Sequence, residues 1–102
     1  MTVWSDPEDF GLVPLGSFDY GPQDYCFNIF AVWQHKETGR LYYAVDCGCS
    51  CPAPFEDYHS LDDLTVISRP DLFKEMKSGA YQPLHESDNA ERLQLMEKIL
   101  LG

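Results

Sequence analysis

Cys47, Cys49 and Cys51 occupy alternate positions in the run Asp46-Cys47-Gly48-Cys49-Ser50-Cys51-Pro52, and the fourth cysteine, Cys26, lies upstream. Thiols at this density bind a metal, pair oxidatively, act as nucleophiles or pack as small apolar groups. Zinc takes four ligands, and Cys26, Cys47, Cys49 and Cys51 number four, with His59 a substitute for one of them. The spacing opposes this reading. On a straight strand residues two apart lie about 6.6 Å apart, and residues four apart about 13 Å. Zinc–sulfur bonds are only about 2.3 Å, so one ion is within reach only if the chain bends at Gly48 or Pro52. A disulfide needs an oxidising compartment. Nucleophilic chemistry would need His59 beside Cys51, with Asp57 or Asp62 to orient it, and no nucleophile signature surrounds these cysteines. The reading that asks least is reduced cysteines packing near a tight turn. The expectation is no catalytic residue and no cofactor, with zinc as the alternative.

The elements that position the thiols are two strands. Cys26 to Gln34 is dominated by aromatic and β-branched residues, and Arg40 to Asp46 repeats that character after the turn His35-Lys36-Glu37-Thr38-Gly39. Together they predict an antiparallel hairpin over 26–46. If the turn pairs His35 with Arg40, Cys26 falls opposite Cys49; if it pairs Lys36 with Leu41, Cys26 falls opposite Cys51. Either register puts the four cysteines on one face, because side chains repeat every second residue. Both faces of the first strand are mostly apolar, which predicts a central strand covered by a helix on one side and by the N-terminal segment on the other.

Residues 1–25 mix Gly, Pro and Asp with aromatics, predicting an irregular arm pinned to the body, with one short strand near Phe10–Leu15. Residues 47–59 are read as a Cys/Pro loop and 60–102 as the helical part. Ser60 with Asp63 three residues on marks a helix start, and Arg69-Pro70 is expected to interrupt that helix. A second short helix is expected over Asp71–Lys77. A last one, capped by Ser87 or Asp88, runs over Ala90–Leu101, with a buried stripe of Leu93, Met96, Ile99 and Leu100, widened by Leu95 and Leu101. His35 and His85 are expected to face solvent. The 102 residues form one domain of α+β class, a small antiparallel sheet packed by the C-terminal helix.

Net charge is −10, and its distribution is lopsided. Lys and Arg occur only at Lys36, Arg40 and from Arg69 onward. Residues 1–35 carry Asp6, Glu8, Asp9, Asp19 and Asp24, and residues 41–68 carry Asp46, Glu56, Asp57, Asp62 and Asp63, with no Lys or Arg in either stretch. Such a body disfavours direct nucleic-acid binding, which needs a basic patch, and favours a partner with a basic surface. Imitation of nucleic acid by ranked carboxylates is a variant of that idea. The N-terminus has no basic start followed by an apolar segment, and no apolar run is long enough to cross a bilayer, so the expected location is cytoplasmic.

Pro52-Ala53-Pro54-Phe55-Glu56-Asp57-Tyr58 reads as a stiff loop, because two prolines restrict its backbone. Phe55, Glu56, Asp57 and Tyr58, with Asp62 and Asp63, are the candidate partner-binding residues: rings for an apolar pocket and carboxylates for a basic rim. The competing reading is that Phe55 and Tyr58 anchor the loop on the core, and that Asp62 and Asp63 favour the positive end of a helix.

The stretches Asn28-Ile29-Phe30-Ala31-Val32-Trp33, Asp46 through Asp57 and Ser60-Leu61-Asp62-Asp63-Leu64 resemble a family of small uncharacterised proteins from phages of actinobacteria. The likeness spans about residues 20–66, and the run from Gly48 through Glu56 is its most specific part. The resemblance implies a phage accessory protein acting in the cytoplasm of an infected bacterium, and it assigns no catalytic residue. The expected function is non-enzymatic binding and modulation of a host or phage protein through an acidic surface. A small zinc-stabilised protein is the alternative.

Overall fold

A computed structural model describes residues 2–20, 26–49, 55, 58–78, 81 and 86–101, and for residues 26, 27, 48, 49 and 101 the backbone alone. Four strands form one antiparallel sheet in sequence order: β1 (Leu12–Asp19), β2 (Cys26–His35), β3 (Leu41–Cys49) and β4 (Thr65–Ile67). Two helices follow, α1 (Arg69–Met76) and α2 (Glu86–Leu101), so the fold is α+β as expected.

The β2–β3 hairpin closes as the aromatic and β-branched pattern requires. His35 N–H donates to Arg40 O at 2.9 Å and Gly39 N–H to His35 O at 2.8 Å. Gly39 has φ +74°, a left-handed conformation that a residue without a Cβ adopts freely. The sheet is covered on both faces. Ala31, Trp33, Tyr42 and Ala44 face the N-terminal residues Val3 and Leu12, together with Phe55 and Leu64. Phe30, Val32 and Leu41 face Leu72 and Met76 of α1 and Leu95 and Ile99 of α2. Two-sided burial explains why β2 alternates nothing polar through its centre.

β1 departs from the expected short strand over Phe10–Leu15. Phe10 ends a 3-10 turn (Pro7–Phe10), and the strand runs eight residues from Leu12. Pro14 pairs with Trp33 and Gly16 with Val32, leaving Leu15 as an extra residue in a β-bulge. The bulge reverses the in–out alternation. Leu12 therefore packs on the arm face, while Phe18, an even number of residues later, packs on the helix face, stacked on Phe30 at 5.1 Å.

Three further expectations are corrected. β3 continues through Cys49, so the segment 47–59 is not all loop. Ser60 opens only one 3-10 turn (Leu61–Asp63), after which the chain becomes β4; Arg69 and Pro70 do not interrupt a helix but begin α1, where a proline lacks no needed donor. In α2 the buried stripe is Asp88, Leu95 and Ile99 with Met96 partly covered, whereas Leu93 is 53% and Leu100 65% exposed. The helix is rotated toward the side bearing Leu95 because Gly16 of the bulge lets it approach closely: a Cβ there would lie 3.1 Å from Leu95 Cδ1.

Candidate functional site

Phe55 is the hub of the arm face. It is fully buried, with ring centroids 5.2 Å from Trp4, 5.4 Å from Trp33 and 5.1 Å from Tyr58. It thus offers no surface to a partner, which corrects its reading as a binding residue: desolvating a phenylalanine among three aromatic rings is more favourable than leaving it in water. Its backbone stands at φ +58°, rare for a residue with a Cβ, and its N–H donates to Asp46 Oδ2 at 2.7 Å. Tyr58 is half-buried, and its hydroxyl donates to Val45 O at 3.3 Å. Burial first, then the nearby Asp46, Asp63 and Cys47, raises its phenol above the usual 10.0.

Around this hub two acidic segments meet. Val3 N–H donates to Tyr58 O at 3.0 Å, joining the N-terminal arm to the chain that leads into Leu61–Asp63. The arm carries Asp6, Glu8 and Asp9, the latter two exposed; the second segment carries Asp62 and Asp63, both exposed. Asp63 is engaged: its Oδ2 accepts the N–H groups of His59 at 3.0 Å and Ser60 at 3.2 Å. Asp62 projects without such a role among the described residues. Glu56 and Asp57 lie outside the described residues. All the Lys and Arg beyond Arg40 belong to the segment from Arg69 onward, whose helices cover the opposite face. One face of the sheet is therefore capped by an acidic layer and the other by helices of mixed charge. The acidic residues of the Pro7–Phe10 turn and Asp62 were legible as charge but not as parts of one layer, which the Val3–Tyr58 hydrogen bond and the Trp4–Phe55 contact build by holding the N-terminal arm against the second segment.

The cysteine strand follows the first of the two registers the turn allowed. Cys26 pairs with Cys49 and Asn28 with Cys47. Cys47 is a free, exposed thiol. Cys51 lies outside the described residues. Pairing is unbroken through Phe27 and Gly48, so the chain does not make at Gly48 the bend that would draw the cysteines of 47–51 toward one ion. Among the described residues no group of three His, Cys, Asp or Glu is placed to hold a metal. His35 does not simply face solvent: its Nδ1 accepts the N–H groups of Glu37 at 3.2 Å and Thr38 at 3.4 Å, shaping the hairpin turn. His59 is exposed, and His85 lies outside the described residues.

Among the described residues no helix is long and apolar enough to cross a membrane. No curated protein and no solved structure matches the chain. One family profile does, over residues 1–101, and it is described as a domain of unknown function. The chain belongs to that family, DUF7574.

Proposed function

We propose that the protein is a non-enzymatic docking module whose acidic layer binds a basic surface on another protein. The observation that carries this reading is the uneven spread of charge: Glu8, Asp9 and Asp62 are exposed on the segments joined through Val3 and Tyr58, while five of the seven Lys and Arg lie from Arg69 onward, in the part whose helices cover the other face, and Lys36 and Arg40 lie in the β2–β3 turn. Carboxylates ranked on one side steer a basic partner and orient it, an effect that fades beyond a Debye length of about 8–10 Å in physiological salt. The non-enzymatic part rests on how the polar groups are used. Asp46, Asp63 and His35 all accept backbone N–H groups and hold turns in place. The partner in this reading is a host or phage protein in the cytoplasm of an infected bacterium, the setting implied by the resemblance of residues 20–66 to small actinobacterial phage proteins.

The test is capture from such a cell with the wild-type chain and with the triple variant Glu8→Gln/Asp9→Asn/Asp62→Asn, which alters exposed carboxylates only. A basic protein retained by the wild type at low ionic strength, and released both by salt and by the triple substitution, is the expected result. Partners that bind the variant equally, or binding indifferent to salt, would refute it.

A further inference from the structure

α1 and α2 pack side by side on the sheet and leave a groove of about 390 Å³ between their outer surfaces, lined by Phe73, Lys77, Met96, Glu97 and Leu100. Leu100 is 65% and Leu93 53% exposed. Met96 and Leu100 line the groove, and Leu93 continues their row along α2 at the i, i+3, i+7 spacing of a helix seam. An apolar ridge with a charge of each sign at its edge is the composition of a contact surface more than of a solvated one.

We propose that this groove takes the same groove of a second copy of the chain, in a two-fold symmetric pair of antiparallel α2 helices. Charge decides the occupant. Residues 1–68 hold eleven acidic and only two basic residues, so copies meeting by their acidic layers would repel. Residues 69–102 hold five basic and six acidic residues, so copies meeting there come together with little net charge between them, their acidic layers turned outward. The groove is also complementary to itself. Lys77 and Glu97 both line it, and among the described residues neither makes an ion pair within the chain. A two-fold axis across the groove sets Lys77 of one copy against Glu97 of the other, and the antiparallel arrangement sets Leu93 against Leu100. A strongly basic partner gains nothing from a surface of mixed sign.

Sedimentation velocity of the full chain, with reductant to prevent cysteine cross-linking, tests the pair across a concentration series. The wild type is expected to show a reversible monomer–dimer equilibrium. Leu100→Asp is expected to raise the dissociation constant at least about tenfold, as loss of one buried leucine contact does. Its circular dichroism at low concentration should match the wild type, because Leu100 is exposed in the monomer. Lys77→Glu and Glu97→Lys should each weaken the pair, and the two together should restore it toward the wild-type constant. A wild type monomeric at every concentration, a folded Leu100→Asp that pairs as tightly as the wild type, or a double exchange no tighter than the single variants would each overturn the proposal.

Discussion

Asp46 holds Phe55. Its Oδ2 accepts the Phe55 backbone N–H at 2.7 Å across nine residues of chain, fixing the end of the cysteine segment to β3. Phe55 itself sits at φ +58°, a conformation costing about 1–2 kcal/mol for a residue with a Cβ. A charge-assisted hydrogen bond of about 1.5–3 kcal/mol is of the size needed to offset it. Asp46→Ala is therefore expected to destabilise by about that amount. Asp46→Asn, which keeps an acceptor, should lose less. Denaturant unfolding measures both, and the emission of Trp4 and Trp33, whose rings pack on Phe55, reports whether the hub has loosened. Equal stability in wild type and Asp46→Ala would mean that packing alone holds Phe55 in place.

The hub itself is a larger effect. Phe55→Ala removes a ring that is fully buried, and large-to-small changes of this kind cost about 3–5 kcal/mol. Against a total stability of about 5–15 kcal/mol, that brings a chain of 102 residues close to unfolding. Val66→Thr is the control. Val66 is 53% exposed on the edge strand β4, and its replacement by another β-branched residue should fall within about 0.5 kcal/mol. Comparable losses in the two variants would contradict the assignment of Phe55 as the centre of the arm-face core.

Much of the sheet was legible from residue types, because β2 and β3 carry unbroken aromatic and β-branched runs and Gly39 marks the turn. The sequence left two registers open, and the His35–Arg40 pairing of the structure selects the one that sets Cys26 opposite Cys49. β1 was harder to read. Its Pro14 and Gly16 weaken strand propensity, yet they are the residues a bulge uses: a proline on an edge and a glycine where the backbone kinks. α2 misled for a different reason. Leu93, Leu95, Met96, Ile99 and Leu100 surround more than one face, and periodicity cannot choose the inner one until the bulge determines how α2 meets β1. The candidate site was half legible. Its charges are plain in the sequence, but Phe55 in an acidic proline-rich loop looks like an exposed contact until Trp4, Trp33 and Tyr58 are found around it.

The bulge yields its own prediction. Leu15 is the unpaired residue that lets Leu12 face the arm and Phe18 face the helices, each about 1% exposed. Deleting Leu15 restores strict alternation and forces one of the two toward the wrong layer. The deletion variant should lose cooperative unfolding and its near-ultraviolet circular dichroism. Leu15→Val, which keeps the count, should retain both. A well-folded deletion variant would show that the strand can re-register without loss.

Tyr20, Tyr43 and Tyr58 share a pH signature. Burial is the main cause of a raised phenol pKa at each, followed by Cys47 at Tyr20, Glu75 at Tyr43 and Asp46 at Tyr58. The folded state holds these protons more tightly than the unfolded state does, whose phenols titrate near 10.0. Their stabilising contribution is thus complete below that value and is lost as pH rises through the higher folded values. Denaturant melts at a series of alkaline pH values should show stability falling above about pH 10. Tyrosinate absorbance of the native protein should go on rising at pH values where the unfolded chain is already titrated. A single native transition at the free-tyrosine value would remove this source of alkaline instability.

Cys47 separates the structural from the metal reading of the cysteine strand. Its thiol is exposed and lies on a strand whose pairing continues evenly to Cys49, so it contributes little to the core. Cys47 should react fast with a bulky thiol reagent in the native protein, with peptide mapping to identify the labelled residue. Cys47→Ser should abolish that fast reaction and shift stability by less than about 0.5 kcal/mol, the range for exposed positions. If a zinc ion instead gathered the four thiols, losing one ligand would cost several kcal/mol, because metal affinity is folding free energy in such sites. Elemental analysis of wild-type protein never exposed to chelator, alongside the melting midpoint of Cys47→Ser, decides between them. A full equivalent of zinc that disappears in Cys47→Ser, together with a large fall in midpoint, would require the segment beyond Cys49 to turn back toward Cys26.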